Sequence, residues 1–187
     1  MAAGESLPAS GTIHIWLIKR SDTGVVDVMA NNHATSALAP TLPANYDYKR
    51  RIFSLRTDPS NNIINGDQWG TGLIRTFMYD TPILDVSNAT PGTDAVTAAL
   101  SVPGGVIVKA LVNDANAGAV MNYLSSLNNA DLAPSTTTAP LATVISGAAN
   151  PFGNIASVFS NTASQIRYRC SGNTAIYIAT LGWEDSL

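Results

Sequence analysis

The apolar runs of this chain are short, rich in β-branched residues, and ended each time by turn-forming residues. That rhythm leaves little room for helices and points to a succession of short strands. Residues 11–19, GTIHIWLIK, place Ile13, Ile15 and Leu17 on one face and His14, Trp16 and Ile18 on the other. Both faces are apolar, as in a strand covered on each side. The turn Ser21-Asp22-Thr23-Gly24 then leads into a second run, 25–29, and the two read as a hairpin. Residues 31–47, with Pro40 and Pro43, read as a long irregular connection, and a third strand is expected over 48–57.

Further strands are expected at 73–79, 83–86, 95–102, 106–112, 142–146, 155–160, 165–170 and 174–181, with the stretches 65–72 and 128–140 as loops. Residues 119–127, AVMNYLSSL, fit a short helix and a strand equally well. About ten short strands with at most one short helix make an all-β chain, expected as a β-sandwich of jelly-roll type. Residues 1–10 read as an N-terminal linker and 11–187 as a single sandwich domain.

Composition supports this and excludes several functions. Charged residues are only 12% of the chain, against roughly 25% in an average domain, and polarity comes from Asn, Ser and Thr. The net charge of -3 supplies no field that draws the chain to nucleic acid or anionic lipid. A surface this poor in charge suits burial in an oligomer. No run approaches the ~18 apolar residues of a membrane-spanning helix, and residues 1–10 lack the regions of a signal peptide. The expectation is a chain made without a secretion signal and without membrane insertion.

The triplet Lys49-Arg50-Arg51 is the one dense basic feature. In a strand, neighbouring side chains point to opposite faces, which puts Lys49 and Arg51 with Phe53 and Leu55, and Arg50 with Tyr48 and Ile52. A split triplet is no continuous phosphate-binding surface. Its charges are expected at a rim or in pairs across an interface, with Asp27, Asp47, Asp58 and Asp67 as candidate partners.

The stretch around that triplet, PTLPANYDYKRRIFSLRTD, resembles a pattern of tailed-phage and prophage virion proteins: Leu-Pro-x-x-Tyr, a basic pair, and a strand ending in Arg-Thr-Asp. IHIWLIKRSDTGVVDVMA resembles the aromatic hairpin preceding that pattern. SNTASQIRYRCSGNTAIYIATLGWED resembles its C-terminal unit, with Asn-x-x-x-Gln-Ile-x-x-Arg and a closing Thr-x-Gly-Trp-x-Asp. The likeness covers about half of the chain. Phe53-Ser54 stands where the pattern has Ile-Gly. The resemblance implies a β-structured virion part at the distal end of a tail fibre or spike, commonly a homotrimer. It carries no catalytic residues to transfer.

Candidate chemistry is sparse. No Gly-x-Ser-x-Gly elbow occurs; His14 reads as a sheet residue and Cys170 as a small buried hydrophobe. No His/Cys/carboxylate cluster with metal spacing is present, so no metal or cofactor is expected, although carbonyl-rich loops could hold a Ca²⁺. Asp67 with Asp80 or Asp85 is the carboxylate pair a glycosidase would need. The loop NGDQWGTG, residues 65–72, is the better prospect for binding. There Trp69 can stack on a sugar while Gln68 and Asp67 bond its hydroxyls, with Tyr46 adding stacking area. The competing reading folds Trp69 back over the sandwich. Tyr48 and Trp16 read as core, and Trp183 as an anchor for the C-terminal segment.

The leading expectation is a non-enzymatic phage virion protein, the trimeric tip of a tail fibre that binds host-surface glycan. The alternatives are an adaptor or capsid-surface protein that binds other virion proteins, and a polysaccharide depolymerase or its carbohydrate-binding module.

Overall fold

A computed structural model describes residues 1–139, 141–145 and 152–186. The chain is all-β with one short helix, and twelve strands lie in three sheets among the described residues. β1 (Thr12–Arg20), β2 (Val26–Asn32) and β3 (Tyr46–Arg56) form a small sheet in the order β2-β1-β3. The helix α1 (His33–Ser36) follows β2, and the Asn32 side chain caps it by accepting from the Ala34 amide. Residues 119–127 hold a strand, so the helix sits in the connection expected to be irregular.

The other strands are β4 (Gly66–Trp69), β5 (Ile74–Asn88), β6 (Val96–Ala99), β7 (Lys109–Asn116), β8 (Met121–Ser125), β9 (Val144–Ile145), β10 (Phe152–Phe159), β11 (Gln165–Cys170) and β12 (Ile176–Ser186). They make a five-stranded sheet, β10-β7-β12-β5-β4, and a four-stranded sheet, β6-β11-β8-β9. The pairing is nested: β5 with β12, β6 with β11, β7 with β10, and β8 with β9. Successive nested pairs alternate between the two sheets, as if one long antiparallel ribbon had been rolled up. Ser146, the end of one expected strand, lies outside the described residues, as does Leu187 at the end of the expected domain.

One core fills the space between these two sheets. Ala110 and Val112 of β7, Ile166, Tyr168 and Cys170 of β11, and Ile176, Ile178 and Trp183 of β12 are all buried there. Trp183 stacks on Phe77 with centroids 4.5 Å apart and meets Tyr79 edge-on at 5.5 Å, so it anchors the C-terminal strand as expected. β5 is continuous where two strands, 73–79 and 83–86, were expected. The register between β5 and β12 is irregular beside Pro82, so its missing N–H costs no ladder bond. At the same place Gly182 is required, because a Cβ would come within 2.0 Å of the Phe77 carbonyl oxygen.

A second, smaller core of Ala2, Trp16, Ile18 and Met29 lies on the inner face of the small sheet, with Leu42 and Tyr46 packed on it. Residues 1–10, expected as a linker, contribute to this side. The Ala2 amide donates to the Ala30 carbonyl at 2.6 Å, and Glu5 accepts from the Asn32 amide at 2.6 Å.

Candidate functional site

Two irregularities in the β1–β3 register decide what the small sheet presents. Lys49 and Arg51 pair with Ile18 and Trp16, and Arg50 pairs with Leu17, so the basic triplet is divided between faces as expected. A bulge then leaves Ile52 unpaired, and Phe53 and Leu55 join Arg50 rather than Arg51. The second shift falls at Asp47. It turns Tyr46 inward onto the small core, while Tyr48 alternates with Lys49 onto the outer face and is 61% exposed. The expectation for these two tyrosines is therefore reversed: Tyr48 is surface, and Tyr46 packs among apolar side chains away from Trp69.

The outer face of the small sheet carries Leu17, Val26, Val28 and Tyr48, all exposed, beside Lys19 and Arg50. The strand expected to be covered on both sides is open here. Between this face and the edge strand β4 lies a groove of about 530 Å³, lined by Leu17, Ile52, Phe53, Gln68, Trp69, Gly70 and Arg75. Residues 66–69, expected as loop, are strand because β5 offers them a ladder from Thr76 to Tyr79. Trp69 is 53% exposed and does not fold back over the sandwich.

The loop that follows is braced. Gly70 has φ +132°, and a Cβ there would meet the Ile74 carbonyl oxygen at 2.3 Å. Arg75 donates from one guanidinium nitrogen to the Gly70 carbonyl at 2.8 Å. The groove thus combines an apolar floor, an exposed indole, an amide and a guanidinium. Asp67 lines an adjoining groove of about 420 Å³ together with Asp80, and Phe53 and Gln68 are shared by both. Of the predicted set, Trp69 and Gln68 come together, Asp67 is their neighbour, and Tyr46 is elsewhere.

Asp85 is withdrawn from any acid–base role by its partners. It accepts from the Ser101 amide at 2.9 Å, the Ser101 hydroxyl at 2.7 Å, and the Thr180 hydroxyl. Asp67 and Asp80 are both exposed, whereas a glycosidase acid depends on a sheltered carboxyl.

A buried polar chain, unforeseen in the sequence, runs beneath the small sheet. Arg51 forms a two-pronged ion pair with Asp185, one prong at 2.9 Å, and donates to the Ser54 hydroxyl at 3.0 Å. The Ser54 hydroxyl is hydrogen-bonded to His14 Nδ1 at 2.7 Å, and His14 Nε2 is hydrogen-bonded to His33 Nδ1 at 3.1 Å. Burial, then the neighbouring His33 and Arg51, push the His14 pKa down to about 3, so the ring is neutral. The Ser54–His14 pair has the composition of a hydrolase nucleophile and base. Ser54 is 2% and His14 0% exposed, which closes the pair to any substrate. Its role is to join the small sheet to β12 and, through His33, to the Gly104-Gly105 turn.

That turn needs its glycine. Gly105 has φ +81°, and a Cβ would stand 2.2 Å from the His33 ring. Asp185, not the four aspartates considered from the sequence, is the partner of the basic triplet. Two of the quoted sequence patterns, the basic pair and the closing Gly-Trp-x-Asp, therefore touch each other through Arg51 and Asp185.

Comparison with protein-family models, curated proteins and solved structures returns no match for this chain.

Proposed function

We propose that this chain is a non-enzymatic structural protein of a phage virion, a homotrimeric tail-fibre tip that takes host-surface glycan in the groove beside Trp69. The observation that carries the proposal is the half-exposed indole of Trp69 on a braced edge strand, facing an apolar floor with Gln68 and Arg75 alongside. A pyranose offers an apolar face for the indole and hydroxyls for the amide and guanidinium. The nested pairing of the all-β chain supports a jelly-roll reading, an architecture used by capsid and lectin domains. Fold alone carries no function, and the reading rests on the groove and on the resemblance of the quoted motifs.

Replacing Trp69 by Ala tests it. Phage or purified protein carrying W69A should lose adsorption to host cells by about tenfold or more, the loss of one stacking contact, with an unchanged melting temperature. Full adsorption by a folded W69A protein refutes the glycan site.

The apolar outer face of the small sheet favours a protein partner as well, and in this reading a second and third copy cover it. Light scattering at micromolar concentration should give a trimer, and Val28→Asp should shift it towards monomer. A monomeric wild type that still assembles into particles would favour the adaptor reading instead.

A further inference from the structure

The inward face of β7 begins as an ordinary core strand and ends as a polar one. Ala110 and Val112 are followed by Asp114 and Asn116 on the same face, and Asn122 of β8 faces them from the opposite sheet. All three polar residues are at most 1% exposed. Their donors are accounted for: Asn122 Nδ2 reaches Asp114 Oδ1 at 2.9 Å, and Asn116 Nδ2 reaches the Val120 carbonyl at 3.0 Å. Three oxygens have no hydrogen-bond partner, namely Asp114 Oδ2, Asn116 Oδ1 and Asn122 Oδ1.

An orphaned buried acceptor is costly, and three on neighbouring residues of β7 and β8 between the same two sheets, a carboxylate among them, call for a common partner. Among the described residues no Lys, Arg or His pairs with Asp114. We propose that these three oxygens bind a hard metal cation between the two sheets. The donor set is all oxygen, which selects sodium or calcium over zinc or copper. The nearby Cys170 does not change this, since burial, followed by the charge of Asp114, pushes its thiol pKa up to about 11 and keeps the proton on sulfur. A single carboxylate balances a monovalent ion; calcium would leave one positive charge in surplus. The ion would fasten the sheets where β7 turns into β8. There the Ala117 amide already reaches Ala175 at 3.0 Å, and the Ser171 amide reaches Met121 at 2.9 Å.

The test uses the whole chain, freed of metal by a chelator and held in choline chloride at constant ionic strength. Thermal unfolding is followed while sodium chloride or calcium chloride replaces choline. At about a hundredfold excess over its dissociation constant the bound ion should raise Tm by about 5–10 °C, and the ion that does so identifies the site's preference. Asp114→Asn should abolish that response. Elemental analysis of calcium-equilibrated, gel-filtered wild type and sensitised terbium luminescence read the site without any variant, should D114N fail to fold. A Tm indifferent to both ions, with no retained calcium and no terbium signal, overturns the proposal. So does a folded D114N that responds like the wild type. A cluster satisfied by buried water or by a protonated Asp114 gives those results.

Discussion

Arg50 and Arg51 are adjacent in sequence, and the structure assigns them opposite energetic fates. Arg50 sits on the exposed outer face opposite Leu17. The Arg51 side chain is 13% exposed and is forked onto an Asp185 carboxylate that is 1% exposed. Removing the guanidinium leaves Asp185 as an uncompensated buried charge and strips Ser54 of one donor. Breaking one side of such a pair costs about 3–5 kcal/mol, whereas an exposed surface substitution stays within about 0.5 kcal/mol. For a chain of this size each kcal/mol moves Tm by roughly 2–4 °C. Arg51→Ala should therefore melt about 6–20 °C below wild type, and Arg50→Ala within about 2 °C of it. Circular dichroism melts and urea midpoints read both. The cost should also be recoverable, because a hydrophobic pair in place of a buried ion pair is often neutral or better. Arg51→Met with Asp185→Leu should regain most of the loss that Arg51→Met alone incurs. Equal melting temperatures for R50A and R51A would refute the assignment of the pair as a buried clasp between sheets.

Two titrating groups should bend the pH dependence of stability in opposite directions. His14 is held neutral, with its folded pKa near 3 against an ordinary 6.5. Its contribution is complete above about pH 6.5 and is lost as pH falls towards 3, by at most about 5 kcal/mol. His14→Gln should flatten the acid limb of a urea-midpoint profile; an unchanged limb would exclude His14 as its source. Burial raises the Asp114 pKa to about 6, partly offset by its bond from Asn122. With the chelated protein, stability should fall by about 3 kcal/mol as pH rises from 4 to 6, and Asp114→Asn should remove that fall. Gly105→Ala should push the His33 ring aside and cost about 1–3 kcal/mol through the strained φ; wild-type stability would show that the turn yields freely.

The short strands and the all-β class were legible because alternation and turn residues are local signals. The 165–170 strand is placed to the residue for that reason. What escaped is non-local. NGDQWGTG carries turn chemistry, and only the ladder offered by β5 makes a strand of it. The bulge at Ile52 inserts one residue, which no alternation pattern announces, and it moves Phe53 and Leu55 to the other face. The same kind of slip at Asp47 sends Tyr46 inward and leaves Trp69 without it. Asp185 could not be chosen from several aspartates, because its pairing with Arg51 spans most of the chain. Asp114 and Asn116 lie in period with Val112, a sign that was present but read as the end of a strand.

The nested pairing has a consequence for synthesis. β5 pairs locally with β4 on one edge, but its other edge is filled by β12, where Ile74 lies opposite Ser186. On the ribosome, β5 must wait with that edge open until residues 176–186 have emerged. The inner pairs, β8 with β9 and β7 with β10, can zip earlier, but the five-stranded sheet is completed only when β12 enters between β5 and β7. Such non-local order makes folding slow and leaves a window in which neighbouring nascent chains can exchange strands. Translation rate then becomes part of reaching the correct fold.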